Sequence, residues 1–412
     1  MTADAADDPI VRDYLLLGLR MGRHIDGYVD CWFGDPDLAR RVDAEPPRPP
    51  AELAGQAARL LARLPDGPLD ERRRRFLAGQ LTALECAARR LAGEPIAFLA
   101  EVAAYFQVEV ALGDPDEYAA AHDALDELLP GPGPLRARVE EFRRRNAVPP
   151  PLLRRAMGAV SAELRSVVAS RYGLPAGEHV EYEVVQDPPW NAFNRYRGRF
   201  RSTVSLNALA GRDLGALPLV AAHECYPGHH TEHCVKEAVL VDGQGQGEHV
   251  LSLVNTPQGL LAEGLAETAL DAVLGRAWGP WTAEILGELG LRVDGERMQH
   301  VMTQMRRLFP ARQDAAILLH DRGADADEAV AYLRRWLLIE DGRARHMVRF
   351  LLDPLWRAYV TTYIEGARLV SAWLAGDRAD GARADGPEGE PGAGVTERFG
   401  RLLREPLLPP TR

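Results

Sequence analysis

The sequence predicts a mainly α fold: a large helical array carrying one small β-hairpin or sheet insertion. Three observations point there. Apolar residues recur at three- and four-residue spacing through most of the 412 residues. The breaks in that rhythm fall on Pro and Gly clusters. One stretch, residues 179–206, changes to strict alternation with Val and Tyr enriched. A hydrophobic content of 46% beside a charged content of 26% is the balance of a chain with a packed core.

Taken in order, the helical spacing covers residues 10–31, 51–64, 69–92, 115–129, 134–145 and 152–172, with Pro- and Gly-rich connectors at 46–50, 65–68, 130–134 and 149–151. Residues 1–150 therefore read as an N-terminal helical region. In the next region, 151–378, two strands are expected, 179–185 and 197–206, flanking a loop at 187–191. Helices return over 214–226, 229–239, 257–275, 281–290, 294–308, 311–321, 326–338 and 354–375. Residues 379–394, rich in Gly, Ala and Asp, read as a linker. In the tail, 395–412, a short helix at 395–403 is expected to dock back, so that the regions form one integrated domain.

The net charge of −11, from 49 basic and 60 acidic residues, excludes a nucleic-acid binder, which needs a basic face. Arg72, Arg73, Arg74 and Arg75 follow Asp70 and Glu71 and read as a solvated helix face. With no uninterrupted apolar run of about 18 residues, no membrane span is expected. Residues 1–9 are acidic and lack the basic and apolar segments of a signal peptide. The four cysteines, Cys31, Cys86, Cys225 and Cys234, form no C-x-x-C pair. Reduced thiols in the cytoplasm are the expectation.

Four of the 11 histidines fall within eleven residues: His223, His229, His230 and His233. An apolar run, 217–222, leads into them, as in a buried helix that delivers polar groups to an interior site. A helical H-E-x-x-H zinc motif sets two His four apart with Glu as general base. Here Pro227 occupies the position four after His223. Pro227 removes a helical hydrogen bond and Gly228 relaxes the chain, so a break is expected. In an unbroken helix His229 lies about 240° from His223, whereas His230 shares its face; a break can return His229. Geometry alone leaves the second ligand open between the two. Glu263 and Glu267, four apart on an otherwise apolar helix, are costly to bury together unless a positive group joins them. Glu263 as ligand and Glu267 as acceptor from a ligand imidazole resolve that cost, with His230 a further candidate to support the ligands from outside. Two His and one carboxylate leave one zinc position for water. Cys225 and Cys234 match no zinc-finger spacing.

The segment His223-Glu224-Cys225-Tyr226-Pro227-Gly228-His229-His230, followed by Glu263-Gly264-Leu265-Ala266-Glu267, resembles the DUF885 family of bacterial metallopeptidases, whose pattern is H-E-x-x-P-G-H and then E-G-W-A-x-Y-x-E. Weaker similarity touches residues 17–19, 27–29, 312–313 and 363–366. The resemblance implies a helical, gluzincin-like, metallopeptidase-like fold and favours His229 as second ligand. Leu265 stands where the pattern has Trp, and Thr268 falls in its Tyr-containing stretch; both changes bear on the pocket wall.

The expected function is that of a zinc-dependent hydrolase, a peptidase acting on a peptide or small amide. Zinc lowers the pKa of bound water and polarises the carbonyl, and Glu224 takes the proton. Tyr359 and Tyr363 on the last long helix are catalytic candidates. Tyr196, Arg195, Arg312 and Arg368 are candidate substrate binders, with Arg199 and His300 also considered. Arg195, Arg197, Arg199 and Arg201 read as one cationic strand face, either a carboxylate clamp or a solvated edge. Two alternatives remain: a non-haem Fe2+ enzyme using the same three ligands, and a helical binding protein whose metal is structural.

Overall fold

The computed structural model describes residues 8–186, 192–208, 213–376, 391–406 and 408. Among them helices dominate and the strands form two small sheets, so the chain is mainly α with a sheet insertion. Helix starts follow local chemistry. Asp8, Asp70 and Asp294 each accept hydrogen bonds from free N–H groups of the first turn. Thr256 does the same for Pro257–Leu274, with Pro257 in the first position, where no backbone donor is missed.

The first predicted helix ends early, at Gly22. Gly27 turns the chain at φ +78°, and Val29–Trp32 (β1) then pairs antiparallel with Leu251–Leu253 (β5), a sheet the apolar periodicity concealed. Short helices at Pro36–Ala44, Phe98–Phe106 and Asp341–Leu352 also lay outside the expectation. The region 354–375 is helical only from Val360, through a wide turn at Thr362–Gly366 into Ala367–Ala375.

The insertion has three strands. His179–Val185 (β2) runs parallel to Arg201–Asn207 (β4), which pairs antiparallel with Ala192–Tyr196 (β3). The hairpin is thus β3–β4, and residues 197–200 are its turn, with Gly198, Arg199 and Phe200 all at positive φ. The expected cationic face of Arg195, Arg197, Arg199 and Arg201 does not exist, because the turn separates β3 from β4. The predicted loop at 187–191 and residues 379–390 of the predicted linker lie outside the described residues. The terminal helix, Ala393–Arg404, docks back: Phe399 and Leu403 are buried and Arg404 donates to the Tyr172 carbonyl.

One apolar core runs through the chain, joining Tyr14 and Leu77 to Leu164, Leu217, Leu265 and Phe399. The helix Pro257–Leu274 crosses it, packed on Glu71–Leu91, Phe98–Phe106, Ala216–Glu224 and Ala367–Ala375. Leu260, Leu265 and Ala269 are fully buried on it, as expected for a helix apolar nearly all round. Glu263 is therefore carried into the interior. Its neighbour Gly264 lets the chain approach closely: a Cβ there would stand 2.2 Å from the Gly366 carbonyl oxygen, and one at Gly366 would stand 2.1 Å from that of Leu260. The pairs Glu263-Gly264 and Glu365-Gly366 thus touch backbone to backbone, which brings the segment bearing Tyr359 and Tyr363 against Glu263.

Candidate metal centre

Ala216–Glu224 ends at Cys225, whose φ −117° and ψ −85° leave the helical region. The Tyr226–Pro227 peptide is cis, and His229–Lys236 begins directly after Gly228. A Cβ on Gly228 would lie 1.9 Å from the His223 carbonyl oxygen. Only glycine lets the second helix start against the end of the first. The expected break is real, and it returns His229 to His223: the two Nε2 atoms are 3.2 Å apart, with the rings nearly perpendicular at 87°.

Glu263 completes the group. Its Oε2 lies 3.2 Å from His223 Nε2 and its Oε1 lies 3.6 Å from His229 Nε2. Ligands held tetrahedrally at about 2.1 Å from a zinc ion stand about 3.4 Å apart, so these separations fit one ion. His223, His229 and Glu263 are the group among the described residues whose ligand atoms converge this closely. The Tyr359 hydroxyl donates to Glu263 Oε1 at 2.5 Å, while Oε2 is buried with no hydrogen-bond partner. An orphaned buried carboxylate oxygen beside two imidazoles is what a cation would satisfy.

Around the group, Glu267 Oε1 lies 3.5 Å from His223 Nδ1, the expected supporting contact. It favours the proton on Nδ1 and the lone pair on Nε2. His230 behaves otherwise than expected. Fully buried, it contacts Ser202 Oγ and Glu178 Oε2, each at 2.8 Å, and makes no hydrogen bond with His223, His229 or Glu263. It ties its helix to the sheet; the break at Pro227-Gly228 turns it away.

Glu224 is 7% exposed; the Asn194 backbone N–H acts on its carboxylate, and Asn194 Nδ2 donates to its backbone carbonyl at 2.6 Å. Burial raises the Glu224 pKa, partly offset by His223 and His229. Burial alone would lower His223, but Glu263, Glu224 and Glu267 together raise it to about 10. Burial works to raise Glu263, yet the two imidazoles outweigh it and hold this carboxyl far below the usual range.

Of the other candidates, Tyr359 and Tyr363 both reach the site. Tyr363 lies 6.5 Å, ring to ring, from His223, and the Arg312 guanidinium sits 5.4 Å from the Tyr363 ring centre. Arg368 does not reach it: its side chain is 65% exposed and bonded to Glu365 on its own helix. Arg195 is exposed and rests over Phe193. Tyr196 points its hydroxyl to Glu237 and stacks on His233, so it backs the wall without facing the ligands. Arg199 offers its backbone N–H to Glu237, and His300 is exposed on Gly295–Arg307.

Three residues were missed. Asp30, on β1, and Gln258 line a cavity of about 40 Å³ together with His229, Glu232, His233, Ser252, Glu263 and Tyr359. Burial raises Asp30 to about 6 despite the opposing effect of His229. Asn194 holds the end of the His223 helix. Asp30 is nearly two hundred residues from the motif, and its only local signal is the Val and aromatic alternation after Gly27. A larger hollow, about 340 Å³ between Arg90, Ile96, His320 and Arg357, contains none of these residues.

No family model matches the chain, and no curated protein does. Among solved structures it is similar to a "putative lipoprotein" from Colwellia psychrerythraea, at 14% identity and TM-score 0.54, covering 87% of this chain. This chain spans 64% of that one, so the likeness is one of fold over part of a longer protein. A "putative lipoprotein of unknown function" from Shewanella oneidensis is similar at 13% identity and TM-score 0.46, covering 86% of this chain and 73% of that one. Among the described residues no helix is long and apolar enough to cross a membrane.

Proposed function

We propose that the chain is a zinc-dependent hydrolase of peptide or small amide bonds, in keeping with the DUF885-like motifs. The observation that carries this reading is the convergence of His223, His229 and Glu263 at ion-holding distances, with the buried Glu263 Oε2 facing His223 Nε2 at 3.2 Å without a hydrogen bond. When bound, zinc supplies a Lewis acid for the carbonyl and an acidified water. Glu224 is the proton carrier. Burial raises its proton affinity above that of a free carboxylate, which suits a general base, against the opposing effects of His223, His229 and the Asn194 backbone N–H. It takes a proton from the attacking water and gives it to the leaving nitrogen.

The other residues position or exclude. Tyr359 occupies Glu263 Oε1 and so leaves Oε2 for the ion, and Glu267 orients His223. Asn194 fixes the backbone at Glu224. Tyr363 presents a phenol beside His223 as a donor to the developing oxyanion. Arg312, over the Tyr363 ring, is placed for an anionic part of the substrate. The four buried free thiols support a reducing compartment, the cytoplasm.

The test pairs metal analysis with a peptide-library cleavage screen. Glu224→Gln is expected to keep its zinc and lose about 10²- to 10⁴-fold in kcat. Full activity in that variant would end the assignment, and iron in place of zinc in protein isolated without added metal would move the chemistry to redox.

A further inference from the structure

The cavity beside the ligand group has a chemistry of its own. Residue pairing across β1 and β5 slips between Val29 and Cys31, which face Leu253 and Ser252. Asp30 is thus the extra residue of a β-bulge, a device that re-aims a side chain. It lines the cavity, and among the described residues no hydrogen bond or ion pair reaches its carboxylate. The other charges there are matched. Glu232 is paired with Lys236, Glu263 faces the imidazoles and Tyr359, and burial holds His233 neutral with a pKa of about 4.

A second polar group opens on the same space. Gln258 is 6% exposed, its amide nitrogen reaches Ser252 Oγ at 3.5 Å, and its Oε1 is buried without a partner. A carboxylate and an amide oxygen are acceptors only, so they call for a donor bearing positive charge. The Gly259 N–H, a donor that could serve an anion, is already taken by Thr256 Oγ1. At about 40 Å³ the space admits a group the size of roughly three waters, an ammonium and its carbon but no long side chain.

We propose that this cavity is an ammonium subsite, in which Asp30 takes the charge and Gln258 Oε1 a second N–H, so that the site acts next to the free amino terminus of a short peptide. The substrate class rests on the hydrolase reading; the subsite itself does not. Zinc-loaded Glu224→Gln chain is titrated by calorimetry with trialanine and with N-acetyl-trialanine, which differ only in that charge. The free peptide is expected to bind about 10- to 100-fold more tightly. Adding Asp30→Asn should abolish the difference while leaving zinc content and acetyl-peptide affinity unchanged, and Gln258→Leu should reduce it several-fold. Equal affinity for the two peptides overturns the subsite without any Asp30 variant, as does a preference that survives Asp30→Asn. If discrimination is found yet the native chain cleaves neither peptide, the subsite stands and the hydrolase reading falls.

Discussion

His229 and His230 leave the same turn of one helix, His229 toward His223 and Glu263, His230 toward Glu178 and Ser202. Around His230 the polar groups are matched: Glu178 also accepts from Tyr226 and pairs with Arg165. Around His229 the match is poorer: two ring nitrogens face each other, and Glu263 Oε2 is buried without a hydrogen bond. Both regions bury titratable groups, His230 and Glu178 completely, His223 and His229 with side chains 16% exposed. The contrast lies in hydrogen-bond satisfaction, and it separates a network that holds the fold together from one waiting for something the chain does not supply.

The sharpest way to break this contrast is at Tyr363. Tyr363→Phe removes only a hydroxyl beside His223; if it serves the oxyanion, kcat falls about 10²- to 10³-fold with zinc affinity unchanged. An unaltered kcat removes Tyr363 from the mechanism. Glu267→Gln weakens the support of His223 and should cost about 10- to 100-fold in zinc affinity, read by competition with a chelator.

On the satisfied side, Glu178→Gln should lower stability by about 1–3 kcal/mol in denaturant titrations and leave zinc binding alone. Burial works to raise the Glu178 pKa, but hydrogen bonds from His230 and Tyr226 and the Arg165 contact outweigh it, bringing it from 4.5 to about 2. A depressed folded-state value stabilises above the unfolded one. This contribution is therefore full above the ordinary carboxylate range and disappears as pH falls toward about 2, so the variant should unfold with a flatter acid limb. Metal loading should also depend on pH. Without metal His223 keeps a proton below its pKa of about 10, so zinc must displace it, and affinity should rise about tenfold per pH unit below that value. A pH-independent affinity would contradict a protonated His223 in the metal-free chain.

The sequence pointed to the candidate ligand group because its parts are local: His223, Glu224 and the Pro227-Gly228 break sit in one segment, and Glu263 and Glu267 are conspicuous on an apolar helix. It left His229 and His230 undecided because helical periodicity favours His230, and only the close approach allowed by Gly228 decides otherwise. Helical boundaries were legible wherever periodicity ran long, as in Glu71–Leu91 and Pro257–Leu274. Asp30 was hidden inside an apolar rhythm that continues from Pro9–Gly22 into β1, where pairing with a strand more than two hundred residues away overrides it. The arginine stripe failed for the opposite reason: alternation through 195–201 spans a hairpin turn. Arg368 failed because the partner it chose, Glu365, lies on its own helix.

The most direct test of the central claim compares neighbouring histidines. Equilibrium dialysis against zinc is run on the native chain, His229→Ala and His230→Ala, with circular dichroism to confirm folding. The account predicts one tightly held ion per chain in the native protein and in folded His230→Ala, and its loss in His229→Ala. An ion retained by His229→Ala, or lost only when His230 is removed, would contradict it.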